Sequence, residues 1–388
     1  MKVFRYFVVF VIGLLALLPA LGYGYLFGGV VETYFRGWKN SNIDDISFRD
    51  LRAISPSTAP QPWVAKFDDH LSFTAEEAAW NEEMMTASFL VLEGDTLVFE
   101  RYGQGHDEHT LTNSFSACKS IVALAIGLAQ TQGLVDVNDE VSAYLPRFSG
   151  EGGRGLTVQE VLQMRSNIPF GEDYDNPFGF MAKAYYRDGL QELVEPYRVE
   201  GEPGTEWMYQ GGNTLLLGEI IAELQQGNLS QWVERGLWNP MGAQDTAFWG
   251  LDASDEAGGV ERCFAQFYAT SRDFARFGKL INRSGNWNGV QLIDSTFMSQ
   301  MVRPIRDLTG DCQVNHYGYQ IWLGQTNAGE HFSCMEGLRG QMIISVPSRD
   351  VVIVRTGYKK SEKKREELAA DIYRVLDMGM RILDESRS

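Results

Sequence analysis

Between Arg5 and Glu32 the chain carries no charged side chain, and the stretch from Tyr6 to Val31 is apolar almost throughout. That length suits a membrane-spanning helix, for which about 20 apolar residues suffice, better than the shorter core of a cleaved signal peptide. Ala20-Leu21-Gly22 nevertheless forms a tolerable cleavage site, and basic residues flank both ends (Lys2 and Arg5, then Arg36 and Lys39), which weakens the orientation signal. Residues 1–36 are therefore expected to anchor the protein in a membrane. The remainder would lie outside the cytoplasm, on the periplasmic side of a bacterial inner membrane, with secretion after cleavage as the alternative.

The pattern then changes. Residues 37–72 are polar and carry Pro56, Pro60 and Pro62, which reads as a linker. Thr74 is placed to cap a helix running to Met84. Ser88 to Glu93 and Thr96 to Tyr102 are β-rich runs around the hairpin signal Gly94-Asp95. After Ser116 come Ile121, Val122, Leu124, Ala125, Ile126 and Leu128, a helix apolar nearly all round and hence buried. From about 136 to 255 the pattern is helical, clearest at Val158–Gln163 and Thr214–Leu224, with no convincing strand pair. A second hairpin, Gly340–Val346 and Val351–Thr356, turns at Pro347-Ser348-Arg349-Asp350, and a helix is expected from Ser361 to about Leu383. Strands at both ends with helices between predict an α+β fold. Its antiparallel sheet would be built from the two chain ends and flanked by helices, with an inserted helical subdomain. Residues 73–388 would form this domain.

Composition adds exclusions. The net charge of −17 and pI near 4.8 argue against nucleic acid as a partner. His106-Asp107-Glu108-His109 lies in a polar stretch without an apolar helical face and reads as a solvated loop, so no metal site is expected. The four cysteines (Cys118, Cys263, Cys312, Cys334) have no CxxC spacing and make no disulfide framework, and no sequence signal supports a Cys312–Cys334 bridge.

The chemistry begins at Ser116 and Lys119. Three residues apart on one helix, a hydroxyl and an amine share a face. A serine becomes a nucleophile when a base takes its proton, and a lysine serves only with a depressed pKa. Burial at the start of an apolar helix supplies that depression. The same spacing recurs at Ser361 and Lys364, but there the flanks are Lys359, Lys360, Glu362, Lys363 and Arg365, and nothing would desolvate the amine. Ser116 on its own also fits a helix cap.

Three further segments decide between those readings. They are Leu156 to Asn167 followed by Phe170-Gly171-Glu172-Asp173-Tyr174; Pro203 to Gly218, containing Tyr209-Gln210-Gly211; and Glu336-Gly337-Leu338-Arg339-Gly340-Gln341. In this order and spacing the chain resembles the serine β-lactamase-related hydrolases: class C β-lactamases, D-alanyl-D-alanine carboxypeptidases, family VIII esterases and 6-aminohexanoate-oligomer hydrolases. The resemblance runs from about Ser88 to the C-terminus and implies a β-lactamase/transpeptidase-like fold. It implies Ser116 as acylated nucleophile, Lys119 as its proton acceptor and Tyr209 as proton shuttle, with the Lys119 ammonium supporting a Tyr209 phenolate. The N–H groups of Ser116 and Leu338 would form the oxyanion hole. Tyr174, Gln210, Gly211, Gly337 and Arg339 would face substrate.

Two positions depart from the family pattern. Gly211 stands where Asn or Ser is usual, leaving Gln210 or Asn213 to compensate. Met335 stands where a Lys or His usually meets a substrate carboxylate, and Arg339, of the same strand parity, is the candidate replacement. The expected activity is therefore hydrolysis of small-molecule esters or amides lacking an obligatory carboxylate, with no metal or organic cofactor. The alternatives are a penicillin-recognising carboxypeptidase or β-lactamase, and an anchored binding protein of the same fold without turnover.

Overall fold

The computed structural model describes residues 5–6, 13, 16–225, 227–306 and 313–387. Cys312, and with it the Cys312–Cys334 pairing, lies outside the described residues.

Side chains buried on both faces along Thr86–Glu93, Gln341–Val346 and Val351–Gly357 build the centre of a seven-stranded sheet. The two chain ends meet inside it: Val351–Gly357 pairs antiparallel with Thr86–Glu93, with Ile353 opposite Val91. Outward from this pair lie Gln341–Val346, His331–Gly337 and Trp322–Gln325 on one side, and Thr96–Tyr102 on the other. Val64–Ala65 closes that edge in parallel. One face (Phe89, Val91, Ile344, Ile353) packs on the C-terminal helix through Ile372, Val375 and Leu376. The opposite face (Leu90, Leu92, Ile343, Val352) packs on Ser271–Asn282 and the central helix Cys118–Thr131. Every residue from Cys118 to Ala129 is buried. Each fully buried Leu or Ile there contributes about 1.5–3 kcal/mol. The capping box at Thr74 and Glu77 starts Ala75–Glu83 as expected.

The structure departs from the sequence reading in four places. The segment 37–72 is not a free linker: Asp50–Ile54 pairs antiparallel with Ala247–Leu251, joined further by Phe267–Ala269 and Thr112–Asn113 in a second, four-stranded sheet. The same pairing places a strand inside the stretch 136–255, where none was apparent. Its partner lies about two hundred residues away, beyond any local signal. The C-terminal helix starts at Ala370 rather than Ser361. The Asp371 carboxylate accepts from Ser361 N and Oγ (2.6 and 2.8 Å), and a short hairpin occupies the interval. At the N-terminus, residues 21–24 form a turn and a separate helix, Tyr25–Glu32, lies on the domain. Tyr25 Oη donates to Pro177 O (2.8 Å), and Tyr23 packs edge-on against Phe178. Among the described residues no helix is long and apolar enough to cross a membrane.

Behind that helix sits a buried polar cluster. Glu32 accepts from Arg49 and Ser41, Arg49 also pairs with Asp45 (2.9 Å), and Ser41 Oγ bonds Tyr186 Oη (2.6 Å). Asp45 in turn accepts from Asn113 Nδ2 (3.0 Å). Three residues later stands Ser116.

Candidate active site

The turn that presents Ser116 is strained. Phe115 has φ +45°, a left-handed conformation costly for a side chain with a Cβ. It is held there because Asn113 Oδ1 accepts the Phe115 N–H (2.8 Å). One turn into the helix, Lys119 is 1 % exposed, and its Nζ lies 2.9 Å from Ser116 Oγ and 2.9 Å from Phe264 O. Burial pushes the Lys119 amine below its ordinary value, against the opposing charge of Glu172. In the neutral form, one N–H bonded to Phe264 O leaves the lone pair for the Ser116 hydroxyl.

Tyr209 joins this pair. Lys119 Nζ lies 5.1 Å from its ring centroid, and its hydroxyl has Ser116 as a side-chain hydrogen-bond partner. The ring is fixed by stacking on Trp322, centroids 5.4 Å apart, and by the edge of Tyr317. Burial, and next the charge of Glu172, push the phenol well above its ordinary value. Tyr174 has a ring 45 % exposed, but its hydroxyl is sunk between Glu172, to which it donates, and Ser116. Its phenol is also raised, chiefly by burial.

Glu172 is the residue the sequence reading passed over. It lay inside the Glu172-Asp173-Tyr174 element, from which only Tyr174 received a role. Its Oε2 accepts the N–H of Gly211 (2.7 Å), the residue standing where the family places Asn. A Cβ at Gly211 would come 3.1 Å from the Phe264 ring and 3.5 Å from Glu172 Oε2. The expected compensators turn elsewhere. Gln210 Nε2 donates to Met208 Sδ (2.9 Å) and Asn213 Nδ2 to Met164 Sδ (3.5 Å).

The opposite wall is the strand His331–Gly337. A Cβ at Gly337 would overlap the Ser114 carbonyl oxygen, so only glycine lets this strand approach the nucleophile turn. Leu338 follows and lines, with Ser116, Phe115, Met181 and Phe264, a pocket of about 80 Å³. Met335 is buried at 1 % exposure. Arg339 does not replace the missing cation. It leaves the strand in a left-handed turn (φ +64°) and donates to Ser41 O and Asn40 O (both 2.8 Å) and Tyr358 O (3.2 Å). Its guanidinium covers the Trp38 ring at 5.0 Å. Those bonds hold the segment whose Asn40 and Ser41 complete the pocket.

A family model described as Beta-lactamase matches residues 74–376, most of the chain and every residue of this site except Asn40 and Ser41. The chain belongs to the beta-lactamase family. The 6-aminohexanoate-dimer hydrolase of Paenarthrobacter ureafaciens is 25% identical to this beta-lactamase-family protein over 327 residues, covering 77% of this chain and 79% of that one. A solved structure provisionally named as a 6-aminohexanoate-dimer hydrolase of Bacillus anthracis superposes with a TM-score of 0.73 at 18% identity, over 89% of this chain and 92% of that one. A family VIII carboxylesterase gives 0.60 at 17% identity, over 83% and 99%. The fold is thus the β-lactamase/transpeptidase-like α+β fold, and the beta-lactamase-family chain is a serine hydrolase with amidase and esterase relatives.

Proposed function

We propose that this protein hydrolyses neutral esters or amides through an acyl-enzyme on Ser116. The observation that carries the reading is the buried Lys119 amine 2.9 Å from Ser116 Oγ. Lys119 takes the Ser116 proton as Oγ attacks the carbonyl carbon. The carbonyl oxygen gathers negative charge, which the N–H groups of Ser116 and Leu338 receive. As the tetrahedral species collapses, Tyr209 gives its proton to the departing alcohol or amine and regains one from Lys119. Water then attacks the acyl carbon with the same groups acting in reverse, releasing the acid and restoring Ser116. Tyr174, whose hydroxyl donates to Glu172, would line the path of the substrate beside Ser116.

A preference for substrates without a carboxylate rests on the charges around the third strand. Met335 offers no cation, the Arg339 donors go to backbone carbonyls, and Lys360 is paired with Glu336 (2.6 Å). A carboxylate entering there loses water without a charge-assisted bond, a cost of roughly 1–3 kcal/mol. Turnover of a short nitrophenyl ester is compared with that of a chromogenic cephalosporin, and labelling by a fluorophosphonate is mapped by mass spectrometry. An adduct on Ser116 that is absent in Ser116→Ala is expected. Persistent labelling in that variant, or cephalosporin turnover exceeding ester turnover, would overturn the reading.

We also infer that the N-terminal segment directs the protein out of the cytoplasm. Tyr23 and Tyr25 pack on the domain, and the apolar run that precedes them in the sequence is residues 6–21. That length favours the apolar core of a cleavable signal over a span of about 20 residues. Sequencing the N-terminus of the mature protein distinguishes the two.

A further inference from the structure

The pocket at Ser116 is small for the chemistry it serves. At about 80 Å³ it falls well below the ~300 Å³ at which small-molecule sites begin. It adjoins a second hollow of about 180 Å³, and Asn40, Tyr174, Ala182 and Tyr186 line both. The far wall of the second hollow is the N-terminal helix, through Leu26, Gly29, Val30 and Tyr34. The surfaces there are mostly aliphatic and aromatic, with Thr33 and Asn40 as polar members, while the charged groups at its rim, Lys39 and Asp175, are exposed to solvent. Tyr174 stands at the junction with its ring half in solvent.

We propose that the acyl group of the substrate is an unbranched aliphatic chain that runs from Ser116 past Tyr174 into this trough, so that the helix Tyr25–Glu32 selects the acyl chain. The proposal rests on the reading of Ser116 as the acylated residue. Four observations support it. The two hollows share a boundary; their lining is mostly apolar; neither alone holds more than a short group; and the helix is held in place by the buried ion pair of Glu32 and the bond of Tyr25 to Pro177 O. The helix lies outside residues 74–376, so this selection belongs to this chain rather than to the matched domain. A branched or bulky acyl group would meet Tyr186, whose hydroxyl is fixed by Ser41.

Two variants change the trough at residues that do not themselves line the pocket at Ser116. Gly29→Leu fills it: a Cβ there meets the Tyr186 ring at 3.6 Å, an ordinary contact, so the helix accepts it. Val30→Asp places a charge on the lining at a position 42% exposed, where folding is little affected. Binding of butanamide and octanamide to Ser116→Ala protein is measured by calorimetry, which requires no turnover. Burying a methylene strengthens binding about fourfold, so the four extra methylenes of octanamide should gain on the order of a hundredfold. Adding Gly29→Leu or Val30→Asp should remove at least tenfold of that gain, with the melting temperature of each variant checking the fold. In active protein, the ratio of kcat/KM for nitrophenyl octanoate to that for nitrophenyl butyrate should fall by a similar factor. Equal affinity for the two amides, or a gain untouched by both folded variants, overturns the trough. Chain-length-dependent amide binding without turnover of any ester or a Ser116 adduct would instead overturn the catalytic reading and leave the trough standing.

Discussion

The Glu172 carboxylate and Gly211 form one unit: Glu172 Oε2 accepts the Gly211 N–H at 2.7 Å and lies beside the space that a side chain at Gly211 would enter, whose nearest wall is the Phe264 ring. A charged group from a loop thereby stands where a neutral amide is usual in the family. Glu172 also bonds Tyr174 and acts electrostatically on both Lys119 and Tyr209, so it couples to every proton-handling group of the site.

That coupling has a sign. On the proposed reading Lys119 acts as the neutral amine, so kcat/KM should rise with pH through a midpoint below about 10.4, the ordinary lysine value. Glu172 raises the Lys119 pKa, while the buried thiols Cys118 and Cys263 remain neutral with their own values pushed up. Glu172→Gln keeps an acceptor for Gly211 and removes the charge. Its pH–rate midpoint is expected at lower pH than that of the parent; a midpoint that stays or moves up contradicts the assignment.

The same depression acts on stability. The folded state binds the Lys119 proton more weakly than the unfolded chain, so this group opposes folding at neutral pH. The opposition fades as pH rises from the folded value toward the ordinary lysine value. Lys119→Met should therefore raise the melting temperature at pH 7 while abolishing turnover, with the gain shrinking at pH 10. Calorimetric scans at the two pH values check this.

Lys119 and Tyr209 should behave as a single proton path. Lys119→Ala and Tyr209→Phe are each expected to cost on the order of 10²-fold or more in kcat. The double variant should lose little beyond the worse single variant. Losses that multiply in single-turnover measurements would separate the two roles.

Gly337→Ala forces the strand away from Ser114, because the new Cβ meets a backbone oxygen that no rotamer can avoid. With Leu338 displaced from Ser116, fluorophosphonate labelling should slow by about 10²–10³-fold, the usual weight of one oxyanion donor. Ester affinity should change less. Equal labelling rates in variant and parent would remove Leu338 from the oxyanion site.

Much of this was legible along the chain, and the reason is locality. The Thr74 capping box, the Gly94-Asp95 hairpin and the apolar run after Ser116 are each specified by residues within one or two turns of one another. The Ser116–Lys119 pair is likewise set by helical spacing. What escaped is non-local. Asp50–Ile54 finds its partner only at Ala247–Leu251, so its residues read as a linker. Arg339 has the strand parity of a substrate contact, but the chain leaves the strand at Leu338 and the side chain turns to Asn40 and Ser41. Glu172 gained its place only because Gly211, 39 positions on, folds against it.

The bond from Asn113 to Asp45 has a consequence for how this protein can be cut and recombined. The family match begins at residue 74, yet the strained residue before Ser116 leans on Asn113, and Asn113 leans on a segment that precedes that boundary. A chimera joined at the homology border would inherit the whole catalytic alphabet and leave its scaffolding behind. The matched stretch and the unit of assembly are offset by some thirty residues, and a transplant of this site has to begin at the earlier one.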